Sequence, residues 1–235
     1  VTDSRSLTCE LGSGPVFVAM CGANHDSHAF VAQMYARGVR AFMVERPLEA
    51  LPECGYVVVE NAIAALQCLA AYHRAQFRGT VVGITGSNGK TVIKEWIAEE
   101  LPAGMKCYRS PKSYNSQLGV PLSVLMIEGD ERFALIEAGI SQPGEMARLE
   151  RMISPDVVLF TSLGDAHQEH FASVEEKCAE KLLLALHAPK IIYHSAYEPL
   201  ASMLREVYAA GHELHDAAAE AGGGLADAAE VFIGA

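Results

Sequence analysis

Gly83-Ile84-Thr85-Gly86-Ser87-Asn88-Gly89-Lys90-Thr91 is the stretch whose reading decides the fold of this chain. It follows a short apolar run, Thr80-Val81-Val82, and leads into a segment of helical character, Val92 to Leu101. A strand, a glycine-rich turn and a helix start make a phosphate site, because turn and helix N–H groups converge on an anion and the helix dipole adds to the attraction. Glycines at 86 and 89 allow close backbone approach. Lys90 reaches toward β/γ-phosphates, and the Thr91 hydroxyl is placed to bind Mg²⁺. The usual spacing asks for glycine six residues before the lysine, where Ile84 stands, so the motif is the shorter Gly86-x-x-Gly89-Lys90-Thr91. A ligand-free β–α turn is the competing reading. The flanking strand and helix favour ATP.

Outward from this loop, apolar runs alternate with helical spacing. Before it, Pro15–Met20, Ala41–Val44 and Gly55–Val59 read as strands, and His28–Gly38 and Ala62–Phe77 as helices, the second capped by Asn61. Arg78-Gly79 turns into the loop strand, so a boundary falls near 79: a small α/β domain over 1–79, then a P-loop domain with a mostly parallel sheet over 80–235. In the second domain Lys106–Arg109, Phe133–Glu137, Asp156–Thr161 and Lys190–Tyr193 read as strands. Gln117–Met126, Gly144–Met152 and Ser173–Leu186 read as helices. The wholly apolar run near 157 is what a strand covered on both faces requires. A doubly wound α/β fold with right-handed crossovers follows, with ligands beyond the carboxyl ends of the strands. The Ala/Gly-rich stretch 216–229 reads as a loop.

The chain has 235 residues, half of them hydrophobic and a fifth charged, which indicates a core-burying protein. Its net charge of -11 excludes a general nucleic-acid surface. Six cysteines without a C-x-x-C pair point to neither a zinc site nor a disulfide framework, and a reducing, cytoplasmic setting fits. No membrane span or signal peptide is expected. The chain opens on Val1 and closes on the strand-like Val231–Ala235, the pattern expected of a fragment.

Three further positions stand at strand ends. Glu137 closes an apolar strand and is placed to hold Mg²⁺ directly or through water; the alternative is a solvated strand-end charge. His167 follows the strand ending at Thr161 and offers a second, imidazole ligand, with Asp165 and His170 as alternatives. Lys181 lies on the next helix, where a solvated face is the ordinary expectation and nothing local separates it from Lys177.

Taken together, Thr85–Thr91, Asp3-Ser4-Arg5, Tyr114–Pro121, Glu137-Ala138-Gly139 and Ala166-His167 resemble, in order and approximate spacing, the ATP-dependent Mur ligases, whose P-loop is shortened in this way. Thr2–Arg5, Phe17–Ala19 and Asp26–Phe30 resemble most the branch that adds D-alanyl-D-alanine to UDP-N-acetylmuramoyl-tripeptide. Ile140–Glu145 and Gly164–Glu169 resemble a form of that branch fused to alanine racemase. The resemblance covers nearly the whole chain and weakens after about residue 200.

It implies amide-bond formation through an acyl phosphate, with ATP and Mg²⁺. Gly86 to Thr91 would cradle the nucleotide, Thr91 and Glu137 would hold one Mg²⁺ and His167 a second, and Lys181 matches a carbamylated lysine. Ser4, Arg5, Asp26 and His28 would serve the uridine diphosphate, and Asn115 and Ser116 the muramoyl-peptide. Ser27 replaces a common glycine and Ser162 a common asparagine. The family's third domain, which closes over ATP, is not recognisable here, so this chain alone is expected to be inactive. Other readings are the diaminopimelate- or lysine-adding ligases, a folylpolyglutamate synthase-like enzyme, a small-metabolite kinase, or a binding module that holds nucleotide without turnover.

Overall fold

A computed structural model describes residues 14–22, 25–162, 170–208 and 212–216. The chain divides into two compact units, Val1–Cys68 and Leu69–Ala235. The division falls inside a helix, ahead of the Arg78-Gly79 turn, because Ala70 and Phe77 already belong to the second unit's core.

In the first unit β1 (Val16–Val18), β2 (Ala41–Val44) and β3 (Gly55–Val58) form a parallel sheet in the order β1-β2-β3. The helix expected over 28–38 is a 3₁₀ turn, Ser27–Phe30, running into α1 (Val31–Ala36). Asp26 imposes the tight start by accepting from the His28 N–H at 3.0 Å. Val31 and Met34 then pack on Phe17, Phe42 and Val44, and Phe42 stacks on Tyr56 at 5.3 Å. Helix α2 (Ala62–Arg74) starts where Asn61 Oδ1 accepts from the Ala64 N–H at 2.8 Å.

The second unit is built on β4 (Thr80–Thr85), α3 (Lys90–Glu100), β5 (Cys107–Arg109), α4 (Gly119–Val124), β6 (Phe133–Glu137), α5 (Met146–Ile153), β7 (Val157–Phe160), α6 (Val174–Leu182), β8 (Lys190–Tyr193), α7 (Leu200–Met203) and β9 (Glu213–Asp216). A 3₁₀ turn, Leu183–Ala185, extends α6, and a π turn, Leu204–Tyr208, extends α7. All its strand pairs are parallel, in the order β5-β6-β4-β7-β8-β9.

Period-two alternation explains why this sheet is covered twice. Val81, Ile136, Val158 and Phe160 face one cluster with α4, α5 and α6 residues; Val82, Ile84, Leu135 and Leu159 face another with Ile93 and Ile97 of α3. Strand β4 is central, and the chain passes from β6 on one side of it to β7 on the other. That reversal is the switch point at which an open α/β sheet collects ligands.

Strand β9 and helix α7 were not expected from sequence. Leu214 packs on the main core and Leu200, Ala201 and Leu204 are buried in it, yet these runs are too short to show a period. Of the loop expected over 216–229, only Asp216 is described, and it ends β9.

Candidate active site

The glycine-rich turn leaves the end of β4 at the switch point. Gly86 takes φ +147° and an added Cβ there would lie 1.9 Å from Thr161 Oγ1, so only glycine lets the loop lie against the end of β7. Gly89 takes φ +82°, where an added Cβ would meet only Ile93 Cδ1 in ordinary contact at 4.0 Å, and forms the N-cap of α3. Three bonds hold the loop to β7: Ser87 N–H donates to Ser162 O at 2.7 Å, and the Thr161 and Ser162 hydroxyls donate to Asn88 O at 2.7 and 3.3 Å. The helix α3 begins at Lys90, two residues earlier than its apolar pattern suggests, because residues 90 and 91 face the loop rather than the core.

Lys90 folds back and donates to Gly86 O at 2.9 Å. Lys181, from α6, donates to the same oxygen at 3.1 Å. Lys177 is buried beside them and lines the same cavity of about 240 Å³, together with Ser87, Asn115, Ser116, Gln117, Ser141 and Glu145. The solvated-face expectation for this helix is thereby corrected: both lysines point inward, and Lys181 is only 3% exposed. Burial, then the charges of Lys90 and Lys177, push the Lys181 ammonium down to about 7. Burial, with the Lys177 charge, also lowers Lys90, against the pull of Glu137. A cavity that gathers three amino groups in this way is built for an anion.

Across the loop, Thr91 Oγ1 donates to Glu137 Oε2 at 3.1 Å. Glu137 is fully buried, which excludes the solvated-charge reading of this strand end. Its other oxygen faces Lys94 Nζ at 2.9 Å, an approach whose angle makes no hydrogen bond, so Glu137 Oε1 has no hydrogen-bond donor. On the other side, Glu137 Oε2 and the Thr91 hydroxyl oxygen, 3.1 Å apart, set two hard oxygens side by side at the loop, a pairing that fits a hard divalent cation such as Mg²⁺. Among the described residues no three His, Cys, Asp or Glu side chains gather as ligands, so a zinc-type cage is not formed there.

Asn115 and Ser116 are brought to the same place. Gly139 N–H donates to Asn115 O at 2.7 Å, and Ser116 Oγ accepts from Gly119 N–H at 3.1 Å to start α4. On the far side of α3 lies a second cavity, about 280 Å³, lined by Val92, Ile93, Trp96, Ile192, His194 and Tyr197 among others. Sequence reading missed this cavity and Lys94. Lys94 stands one helical turn after Lys90, on the same face, which is the signal that could have found it.

In the first unit His28 is buried. Its Nε2 accepts from Glu45 N–H at 2.9 Å, so the ring proton sits on Nδ1 and is donated to Asp26 Oδ1 at 2.6 Å. Arg46 pairs with Asp26 Oδ2 at 2.6 Å, and these bonds bring the Asp26 carboxyl down to about 2. Ser4, Arg5, Asp165 and His167 lie outside the described residues; His170 is exposed.

The family model of the Mur ligase middle domain matches residues 84–221. The UDP-N-acetylmuramoyl-tripeptide–D-alanyl-D-alanine ligase of Synechocystis sp. is 35% identical over 194 residues, 80% of this chain and 41% of the relative. The enzyme of the same name from Escherichia coli is 36% identical over 174 residues, 74% of this chain and 37% of its own length. This chain thus spans about two fifths of the curated relatives it matches. Among solved structures, MurF from Acinetobacter baumannii superposes with a TM-score of 0.81 at 30% identity, covering 91% of this chain and 46% of that one. MurF from Thermotoga maritima in complex with ADP gives 0.78 at 29% identity, covering 91% and 48%. The chain belongs to the Mur ligase family.

Proposed function

We propose that this chain carries the ATP-activating part of an amide ligase that adds D-alanyl-D-alanine to UDP-N-acetylmuramoyl-tripeptide. The observation that carries the reading is the cavity shared by the glycine-rich loop, Lys90, Lys177 and Lys181, with Asn115 and Ser116 on its wall. The names of the relatives point to the same reaction.

A carboxylate oxygen of the tripeptide attacks the γ-phosphorus of ATP, the bond to the β-phosphate oxygen breaks, and ADP leaves. The amine of the dipeptide then attacks the acyl carbon, phosphate leaves, and the amine loses a proton. Two anions must meet in the first step, and their repulsion is the barrier that the site lowers. Lys90 and the loop N–H groups neutralise the phosphates, and Lys177 does the same for the facing carboxylate. Asn115 and Ser116 hold the peptide end in line. Thr91 and Glu137 would hold Mg²⁺, which supplies positive charge to the phosphate oxygens when bound.

Lys181 is the residue we assign to carbamylation. An amine whose ionisation falls near neutrality has a free lone pair to add to CO₂, losing a proton to give an anion; that anion is favoured between Lys90 and Lys177. His167 as ligand of a second cation rests on its motif alone, as does a racemase fusion on Ile140–Glu145. The Trp96–Tyr197 cavity is apolar and aromatic and suits the adenine base. Asp26 and His28, with Ser4 and Arg5, serve the uridine diphosphate in this reading, and a cytoplasmic setting follows from such a substrate. Among the described residues no helix is long and apolar enough to cross a membrane.

Calorimetric titration with Mg²⁺-ADP and with UDP-N-acetylmuramoyl-tripeptide tests the proposal, with Lys90→Ala as control. Binding of both, with nucleotide binding lost in the control, is the expected result. Nucleotide binding without the UDP-sugar would move the reading to another Mur-superfamily ligase, and binding of neither would overturn it for this chain.

A further inference from the structure

Lys94 is a fully buried lysine on the loop helix for which the reaction above has no use. Four oxygens surround its ammonium: Ser110 O at 2.5 Å, Lys112 O at 2.9 Å, Glu137 Oε1 at 2.9 Å and Glu95 Oε1 at 3.2 Å. Glu95 is itself held through Oε2 by Arg109 at 2.7 Å. With three elements contributing these oxygens and no solvent reaching the group, Lys94 cannot swing away from Glu137. Moving a charge out of such a cage would leave Glu137 buried without its partner.

The arrangement sorts the two oxygens of Glu137. Oε1 lies on the Lys94 side. Oε2 lies on the Thr91 side and accepts from the Thr91 hydroxyl. The segment that anchors Lys94 also brings the Ser113 hydroxyl to 3.5 Å from Thr91 Oγ1, on the cation-facing side. We propose that Lys94 is a positioning residue that withholds one carboxylate oxygen of Glu137 and presents the other alone, selecting Mg²⁺ over Ca²⁺.

The selection follows from coordination chemistry. Mg²⁺ is small, keeps near-octahedral geometry and takes single carboxylate oxygens, whereas Ca²⁺ is larger and gains from a carboxylate that turns both oxygens to it. A carboxylate with a caged ammonium 2.9 Å from one oxygen is held in place by that charge, since turning would carry the oxygen away from it. The inference rests on the reading that Thr91 and Glu137 take the divalent cation.

The test is the ADP affinity of the full chain measured in Mg²⁺ and in Ca²⁺, for wild type, Lys94→Met, Glu137→Gln and the double variant, with folding checked by circular dichroism. In Lys94→Met the preference for Mg²⁺ over Ca²⁺ should fall by about tenfold, since the second oxygen is released. In the Glu137→Gln background the same change at 94 should leave the preference where it was. An unchanged preference in Lys94→Met, while Glu137→Gln weakens binding in both cations, overturns the role of Lys94 and spares the cation site. No effect of Glu137→Gln in either cation overturns the cation site and the inference with it. Should Lys94→Met not fold, Lys94→Gln keeps donors for the two carbonyls without the charge and carries the same expectation. Should neither fold, the wild-type minus Glu137→Gln infrared difference decides: a single-oxygen carboxylate signature in Ca²⁺ supports the proposal, and a two-oxygen signature overturns it.

Discussion

Lys90 and Lys181, ninety-one positions apart in sequence, donate to one acceptor, the carbonyl oxygen of Gly86, at 2.9 and 3.1 Å. Two cations held on one neutral oxygen repel each other, and the depressed ionisation of Lys181 expresses that strain together with its burial. The folded chain therefore binds fewer protons at this site than the unfolded chain between about 7 and the ordinary lysine value. Stability rises with pH across that window, and below it the penalty is complete because both states are protonated. Lys181→Met should flatten this slope and stabilise the ligand-free protein at pH 6 by at most about 5 kcal/mol, less whatever the charged site recovers by relaxing. Urea unfolding at pH 6 and pH 9 checks it; equal slopes in the two proteins would refute the assignment.

Carbamylation makes a separate prediction. Protein equilibrated with ¹³C-bicarbonate at pH 8.5 should show one enriched carbamate carbon resonance that is absent from Lys181→Arg. A resonance that survives the substitution would place the modification elsewhere.

The two glycines of the loop should respond differently to alanine. At Gly86 the new Cβ meets Thr161 Oγ1, and the loop must part from β7, so a loss of about 3 kcal/mol is expected. At Gly89 the new Cβ makes only ordinary contact with Ile93 and the left-handed backbone alone is strained, which costs about 1 kcal/mol. Thermal and urea denaturation of both variants measure the difference.

Trp96, the single tryptophan, lines the apolar cavity behind α3. Its emission should change on adding ADP and not on adding pyrophosphate. Tyr197→Ala should weaken ADP by about tenfold through lost stacking and leave pyrophosphate unaffected. Equal losses for the two ligands would remove the base from this cavity.

In the first unit the Asp26 carboxyl is held low, chiefly by Arg46, and its contribution to stability is present above the ordinary carboxylate value and lost as pH falls through about 2. Asp26→Asn should also weaken UDP-sugar binding, since the His28 ring then loses the carboxylate that orients it. A loss of about tenfold or more, read by calorimetry, is expected. An unchanged affinity would detach this pair from the substrate.

Much of this was legible in the sequence, because periodicity and turn chemistry are local. The apolar run at 157–160, the Gly86–Thr91 turn and Glu137 at the end of β6 stand as their patterns indicate. What was not legible depends on burial across distant elements. Lys177 and Lys181 sit on a helix whose charges suggest a wet face, and only the packing of α6 against the loop turns them inward. Lys94 gives no sign of its four oxygen partners, three of which lie 16 to 43 positions away. Strand β9 is four residues with two charges, and it is a strand because β8 offers it an edge.

The bridge between Asn88 and Ser162 has a consequence for communication within the unit. Ser162 stands two residues beyond β7, and its backbone is tied to the glycine-rich loop. Whatever alters the shape of that loop alters the end of β7, and the reverse holds by thermodynamic reciprocity. The glycine-rich loop and the end of β7 are thus two arms of one lever whose fulcrum is a pair of hydrogen bonds to Asn88 O.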